Sequence, residues 1–382
     1  MKKIFLTTMA LLTMASASVF GMYGVSSGDW INFLTHGNQF RARLDQLGFT
    51  LGNDMIKGTF GFRNQTSYHG SIGDMLNTLD GKDYSFDPTI SMGIGYTSSV
   101  IGIGVGYNAT IGNKIYKYNG KAESKPTQAV GHTPVLVLNA MDNAFRMAIP
   151  IQVVHLADKY EGGGKASVTA VSVDSQFRYY TGLDVLPQVR LYLRYGLYQN
   201  EEKATKDAEK VKTKYAESFG FDLRFYFGSM VEEVALQPIV KLAYNGALGN
   251  YHSYTRVQAV KAMQGAYQTT PASYWGVGAY NLNLMLGLGL TANSDIVSLY
   301  LEPSIGLSVN QKGSATDKKN KETYDLAYAV YAEIYITPLK NLEWYFEASI
   351  GNVAGGTSGN VSLTKGVAFA GTTGITWYLP AL

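Results

Sequence analysis

Residues 104–109 read Gly-Val-Gly-Tyr-Asn-Ala, which fits the G-x-G-x-x-A fingerprint of a dinucleotide-binding turn. Glu123 follows nineteen residues after Gly104, close to where a ribose-binding acid would lie. The fingerprint needs a following helix, because the helix N-terminus holds the pyrophosphate. The stretch after Ala109 is TIGNKIYKYNG, which is rich in β-branched residues, tyrosine and glycine and is therefore a poor helix former.

A period-two pattern runs straight through the same glycines. Within residues 101–107, large side chains occupy the odd positions and glycine occupies positions 102, 104 and 106. This alternation predicts one β-strand with all three glycines on its inner face. We expect water, the N-terminal segment or a loop to fill the space that these glycines leave. The pattern thus favours a strand over a nucleotide site.

Histidine and cysteine give no support for a metal site or an enzyme. The chain has no cysteine, and its histidines are scattered without metal-ligand spacing at positions 36, 69, 132, 155 and 252. His155 lies near Asp158, as in a barrel-type protease or phospholipase, but one such pair at a barrel rim is common by chance. We predict no catalytic residues, no metal and no cofactor.

The start of the chain has the features of a secretory signal peptide. Met1-Lys2-Lys3 precedes a short apolar run that ends in small residues, so residues 1–21 are predicted to be a signal peptide. Its cleavage site is expected between Ala17 and Gly21. No later segment approaches the ~18 consecutive apolar residues of a transmembrane helix. The formal net charge of +3 gives no electrostatic case for a nucleic-acid partner.

Composition and alternation both favour an all-β membrane protein. Charged residues are 16% of the chain, against about 25% in ordinary soluble domains, while Tyr (28) and Gly (42) are abundant. We predict a single antiparallel transmembrane β-barrel of about 14 strands, with a soluble solenoid or sandwich as the alternative. The predicted strands cover 56–65, 88–98, 100–118, 133–140, 144–156, 166–181, 185–200, 213–228, 234–248, 273–292, 296–311, 322–338, 342–352 and 365–380.

The connections between these segments alternate strictly between short and long, as in outer-membrane barrels. Short turns are expected near 99, 141–143, 182–184, 229–233, 293–295 and 339–341. Long polar loops are expected near 66–87, 119–132, 157–165, 201–212, 249–272, 312–321 and 353–364.

Residues 22–55 differ from the rest of the chain. The apolar residues of 30–47 follow a spacing nearer to that of a helix, so residues 29–48 are predicted to form a periplasmic helix or an inward plug. A capping helix without a gating role is the alternative. The domain organisation is therefore a signal peptide over 1–21, a periplasmic or plug segment over 22–55, and a barrel over 56–382.

Charged residues on the predicted inner face are sorted by sign. Arg146 and Asp325 belong to two sets that would line opposite walls of a closed barrel, where they would create a transverse field. An open channel and a lumen plugged by paired charges both remain possible. The pore-lining candidates are Arg178, Arg190, Arg194, Arg224 and Lys241 on one wall, and Glu302, Glu333, Glu343 and Glu347 on the other.

The N-terminal quarter resembles the variable surface protein (Vsp) family of intestinal spirochaetes. The resemblance rests on MKKIFLTTMALLTMASASVFGMYG, GDWINFLTHGNQFRARLDQLGFTLGN and IKGTFGFR, within residues 1–65. It implies an outer-membrane surface antigen, one of several paralogues, with no family catalytic or binding residues to carry over. It also implies that loops 66–87, 119–132 and 249–272 face host immune molecules.

The sequence leads to one functional expectation and one alternative. We expect a surface-exposed outer-membrane protein that displays variable loops, with porin-like diffusion left open as a second activity. The alternative makes general diffusion of small polar solutes the main role. The expected partners are outer-membrane lipid, host immune molecules at the loops, and a second copy of the chain in a homo-oligomer.

Overall fold

Antiparallel strands make up most of the chain, because large apolar side chains alternate with small or polar ones over long stretches. The computed structural model describes residues 24–43, 46–64, 88–116, 127–159, 164–231, 234–248, 256–260, 278–313, 320–352, 361–364 and 367–379. The predicted signal peptide over 1–21 lies outside these residues.

Two short helical turns precede the strands. Helix α1 covers Ser27–Trp30, and a 3-10 helix covers Phe33–Thr35. The first nine strands are β1 Gln39–Arg43, β2 Gln46–Gly52, β3 Ile56–Asn64, β4 Pro88–Tyr96, β5 Ile101–Tyr116, β6 Thr127–Ala140, β7 Phe145–Lys159, β8 Lys165–Tyr180 and β9 Gln188–Lys203. The others are β10 Val211–Tyr226, β11 Ser229–Val231, β12 Val234–Ala247, β13 Tyr280–Asn293, β14 Val297–Gly313, β15 Asn320–Leu339, β16 Leu342–Gly351, β17 Val361–Thr364 and β18 Val367–Leu379.

The sheet closes into a sixteen-stranded antiparallel barrel. Strand β1 pairs with β2 on one side and with β18 on the other, where Phe40 lies opposite Leu379. The two short strands β11 and β17 pair with β12 and β18, while β10 pairs directly with β12 and β16 directly with β18. The all-β barrel class is thus confirmed, and the expected count of about 14 is corrected to sixteen.

The two additional strands, β1 and β2, lie where the sequence predicted a helix over 29–48. Helical spacing holds only through Thr35, and the later apolar residues serve cross-strand pairing instead. Phe40, Phe49 and Phe60 form a row across β1, β2 and β3, with ring centroids 6.3 and 6.2 Å apart. A row of this kind stabilises neighbouring strands and imitates helical spacing over a short hairpin. Because a hairpin adds two strands, the start of β1 and the end of β18 stay on one rim.

One loop boundary also needs correction. The sequence predicted a loop over 119–132, but β6 begins at Thr127 and pairs with the end of β5, where Tyr116 lies opposite Thr127. The register shifts between Ile111 and Ile115, and this irregularity lets the hairpin extend beyond the predicted strand.

The N-terminal segment Gly24–Thr35, called the plug below, fills the space over the glycines of β4 and β5. The Trp30 and Phe33 side chains have no exposed surface, and Leu34 is also buried. A Cβ atom added at Gly106 would lie 2.3 Å from the Trp30 ring, and one at Gly104 would lie 3.1 Å from Leu34. Glycine is thus required there so that the plug can approach the wall. The sequence left water, the N-terminal segment and a loop as alternatives for this space, and the N-terminal segment occupies it.

Substitution Gly106→Ala is expected to destabilise the protein by about 1–3 kcal/mol, because the new methyl group overlaps the Trp30 ring in a packed site. The free energy of unfolding by urea in detergent micelles measures this loss. Gly58→Ala is the control, since its added Cβ would lie 3.9 Å from the nearest atom, Gly93 O. Equal losses in the two variants would contradict the packing argument.

Candidate functional site in the barrel lumen

A row of five basic residues crosses one wall of the lumen. Arg146 lies opposite Arg178, Arg178 opposite Arg190, Arg190 opposite Arg224, and Arg224 opposite Lys241, so the row spans β7, β8, β9, β10 and β12. These are nearest neighbours in register and their side chains share the inner face. We call these five residues the basic row. The sequence predicted that they would share a wall, and pairing of the strands places them side by side.

Carboxylates neutralise part of this wall. Asp222 accepts from Arg224 Nε at 2.9 Å and from Arg224 Nη2 at 2.6 Å. Asp174 accepts from Arg194 Nε at 3.0 Å and from Arg256 Nη2 at 3.0 Å. The wall is therefore a network of paired and unpaired cations, which sequence spacing alone could not distinguish.

The acidic candidates lie on strands β14, β15 and β16. Glu333 lies directly opposite Glu347 in register, and the Tyr331 hydroxyl donates to Glu333. Glu302 accepts from Lys241 Nζ and from the Tyr300 hydroxyl, so it joins the acidic side to the end of the basic row. The other two acidic residues differ in their surroundings: Glu343 lies 3.9 Å from Arg43 Nη2, whereas Asp325 is exposed and accepts from Thr323 Oγ1 at 3.2 Å.

The plug is held to this wall by polar contacts that the sequence did not reveal. Arg146 Nη1 donates to Asn32 Oδ1 at 2.9 Å and to Thr35 Oγ1 at 3.2 Å. Gln152 Nε2 donates to Val25 O at 3.1 Å. Because these partners are more than a hundred residues apart in sequence, no local signal marks them. One member of the basic row thus positions the plug.

A second segment, Arg256–Val260 between β12 and β13, also packs into the lumen. Its Val257 amide donates to Ser218 Oγ at 2.8 Å, and the Ala259 amide donates to Ser172 Oγ at 2.9 Å. Val257, Ala259 and Val260 are buried in one cluster with residues of β7 to β10. The sequence treated this region as part of a surface loop. Its short apolar stretch VQAV, inside a long polar connection, is the signal that could have identified it.

The structure builds no cluster of metal-ligating side chains within its described residues. No group of three potential metal ligands occurs there. His155 is exposed on β7 and its Nδ1 lies 2.9 Å from Thr169 Oγ1, whereas the Asp158 side chain is outside the described set. Among the described residues, no helix has the length and apolar character needed to cross a membrane.

His36 follows the plug and lies among positive charges. The Lys57 ammonium group donates to the His36 carbonyl oxygen. Burial, and next the charge of Lys57, lower the pKa of His36 to about 4 from 6.5. Three further cations lower this pKa in the same direction: Arg146, Arg41 and Arg178. His36 is therefore neutral at neutral pH, and protonating it would add a charge to a basic environment.

The family of the chain is shown by its sequence. Residues 2–378 match the profile of the family described as Serpulina hyodysenteriae variable surface protein. The chain belongs to this family. The resemblance noted in the first 65 residues is thus confirmed over nearly the whole length. No curated protein sequence matches the chain.

The chain can also be compared with solved barrels. The FrpB iron transporter from Neisseria meningitidis (F5-1 variant, apoprotein form) is 10% identical at a TM-score of 0.41, over 78% of this chain and 52% of that one. The translocator domain of the autotransporter NalP from Neisseria meningitidis is 13% identical at a TM-score of 0.32, over 97% of both chains. The copper transporter OprC is 9% identical at a TM-score of 0.37, over 82% of this chain and 60% of that one. The variable surface protein thus spans about half the length of FrpB.

Acidification from pH 6.5 to 4 is expected to weaken docking of the plug. In this window the unfolded chain protonates His36 and the folded chain does not, so the free energy of unfolding falls as the pH falls. Urea midpoints across this pH range measure the effect. His36→Gln is the control, because it removes the titrating ring and should flatten this part of the profile. Parallel profiles for the two proteins would contradict the assignment to His36.

Proposed function

We propose that this surface protein is an outer-membrane barrel that displays its longer connections outside the cell. The observation that carries the proposal is an apolar outer face combined with two rims whose connections differ in length.

Large apolar side chains cover the outside of the barrel. Ile103 and Val105 on β5 are about half exposed, as are Leu284 and Leu286 on β13 and Trp377 on β18. A soluble monomer rarely exposes such a continuous apolar surface. In lipid the same surface is favourable, and the closed sheet leaves no backbone edge without a partner. The outer face therefore supports a membrane location.

The two rims differ in the length of their connections. On one rim, β2–β3, β4–β5, β13–β14 and β15–β16 are examples of strand pairs joined by few residues. On the other rim, residues 65–87 join β3 to β4 and residues 248–279 join β12 to β13. On this second rim, the connection from β1 to β2 is only two residues long, at positions 44–45. Long connections on one side are typical of the external side of an outer-membrane barrel. We infer that they are the parts that meet host immune molecules.

Single cysteines on the two rims test this orientation, since the chain has no cysteine of its own. Lys206 is exposed in the β9–β10 connection on the longer rim, and Lys340 is exposed in the β15–β16 turn on the shorter rim. A membrane-impermeant thiol reagent added to intact cells is expected to label Lys206→Cys. Lys340→Cys is expected to react only after the cells are permeabilised. The reverse pattern would invert the orientation and reject surface display of the longer rim.

Restricted passage of small polar solutes is the second candidate function. It is favoured by the concentration of basic residues on β7–β12 and of acidic residues on β14–β16, which meet at the Lys241–Glu302 ion pair, because unlike charges on different parts of a lumen wall order water and select solutes. The plug and the segment Arg256–Val260 occupy part of the lumen, so any passage is narrower than the barrel itself.

Planar bilayers test this second candidate. The purified protein is expected to give stepwise conductance, and Arg194→Glu should shift the reversal potential in a salt gradient toward cation selectivity. Lys206→Glu makes the same charge change on a rim and should shift it much less. Absence of conductance steps in several lipid mixtures would reject passage while leaving surface display unaffected.

A further inference from the structure

Arg178 and Arg190 form the centre of the basic row, and each has another arginine as a nearest neighbour. They lie opposite one another on β8 and β9, and Arg224 follows on β10. Like charges directly opposite each other on one face of a sheet destabilise it. Such an arrangement needs a compensating negative charge or an abundant supply of acceptors.

Neither Arg178 nor Arg190 is compensated by a carboxylate. Their exposed fractions are only 5% and 7%. Within the described part of the chain, no Asp or Glu oxygen lies within 4.0 Å of either guanidinium, whereas Arg194, Arg224 and Lys241 each have such a partner. Burying a charge without an opposite charge is costly. These two arginines therefore differ from Arg194, Arg224 and Lys241, which have carboxylate partners, and from Arg146, whose Nη1 donates to Asn32 and Thr35 of the plug.

Neutral groups orient the two guanidinium groups without cancelling their charge. Gln188 Oε1 accepts from Arg190 Nε at 2.8 Å, and the Arg190 guanidinium lies 4.4 Å from the centroid of the Tyr226 ring. With its amide oriented to satisfy its neighbours, Gln176 presents its oxygen to Arg178 at 2.9 and 3.2 Å. Both guanidinium groups are thus held in place by uncharged neighbours.

Gln188 adds a further donor at the same place. Its Nε2 is buried and has no hydrogen-bond partner among the described residues. The bond from Arg190 fixes which end of the amide is the oxygen, so the end left over must be the NH2 group. A buried amide nitrogen of this kind needs an acceptor. The guanidinium groups of Arg178 and Arg190 and the amide nitrogen of Gln188 thus offer only hydrogen-bond donors at this place.

We propose that Arg178, Arg190 and Gln188 form a binding site for a tetrahedral oxyanion of the phosphate or sulfate class. Arginine forks match the paired oxygens of such ions, and an anion would satisfy the amide and offset the opposed charges together. The inference goes beyond the proposed function, because binding requires neither surface display nor transport.

The site lies near the shorter rim. Arg178 is two residues before the end of β8 at Tyr180, and Gln188 is the first residue of β9. The site is therefore closer to the rim opposite to the long connections. Sequence diversity in those connections would leave the site unchanged.

Phosphate binding to the full chain in detergent micelles tests the proposal. Equilibrium dialysis with labelled inorganic phosphate, at ionic strength held constant with chloride, is expected to show saturable binding near one ion per chain. Arg190→Gln should weaken binding roughly tenfold or more, as expected for loss of a charge-assisted hydrogen bond. Arg194→Gln is the matched control on the same strand and face, because Asp174 already pairs with that residue, and it should change binding by less than about threefold.

Two results would overturn the site: no saturable phosphate binding by the wild-type chain, or equal weakening by Arg190→Gln and Arg194→Gln. A second variant keeps the test decisive if Arg190→Gln does not fold. Gln188→Leu leaves the charge unchanged and removes the orphan donor, so it should weaken binding several-fold. Circular dichroism of each variant reports folding independently. Unaltered binding by a folded Gln188→Leu would also reject the proposed ligand set.

Discussion

Closure of the sheet between β1 and β18 is the constraint on which the rest of the structure depends. An open sheet would leave two rows of backbone donors and acceptors facing lipid, where they find no partners. Strand β1 is only five residues long, yet it pairs with β18 on one side and with β2 on the other. Strand β1, the shortest of the sixteen barrel strands, thus closes the barrel.

This constraint also determines where the plug lies. The 3-10 helix ends at Thr35 and β1 begins at Gln39, so three residues connect the plug to the closing strand. So short a connection keeps Trp30 and Leu34 inside the barrel. The glycines of β4 and β5 leave room for these side chains, and Arg146 donates to the plug from another wall. Closure and filling of the lumen are therefore parts of one arrangement.

The sequence predicted the elements whose signal is local. Fourteen of the sixteen barrel strands were identified, because long alternation follows directly from having lipid on one face and the lumen on the other. The hairpin of β1 and β2 was missed because short strands carry few repeats and because Phe40 belongs to a cross-strand row that imitates helical spacing. The segment Arg256–Val260 was missed because its anchors, Ser172 and Ser218, are distant in sequence.

For the lumen, the sequence predicted the sign of each wall but not which charges are paired. The alternating pattern places Arg190 and Arg194 on the same face and does not distinguish one from the other. Only the register across β8 and β10 shows that Arg194 contacts Asp174 while Arg190 lies between two arginines. That difference depends on which residues lie opposite one another, and a shift of β8 by four residues would place Asp174 opposite Arg190 instead of Arg194. Strand register is therefore the property that turns a general charge pattern into individual sites.

The same dependence on register explains how a variable surface can coexist with a fixed interior. A connection on the longer rim joins two strands whose register is already set by hydrogen bonds along their length. Changing its length costs little free energy, because loop closure depends only weakly on loop length. An insertion between Thr35 and Gln39 would instead move Trp30 away from Gly106, and an insertion within β9 would separate Arg178 from Arg190. An insertion in a connection of the longer rim leaves every strand pair in register.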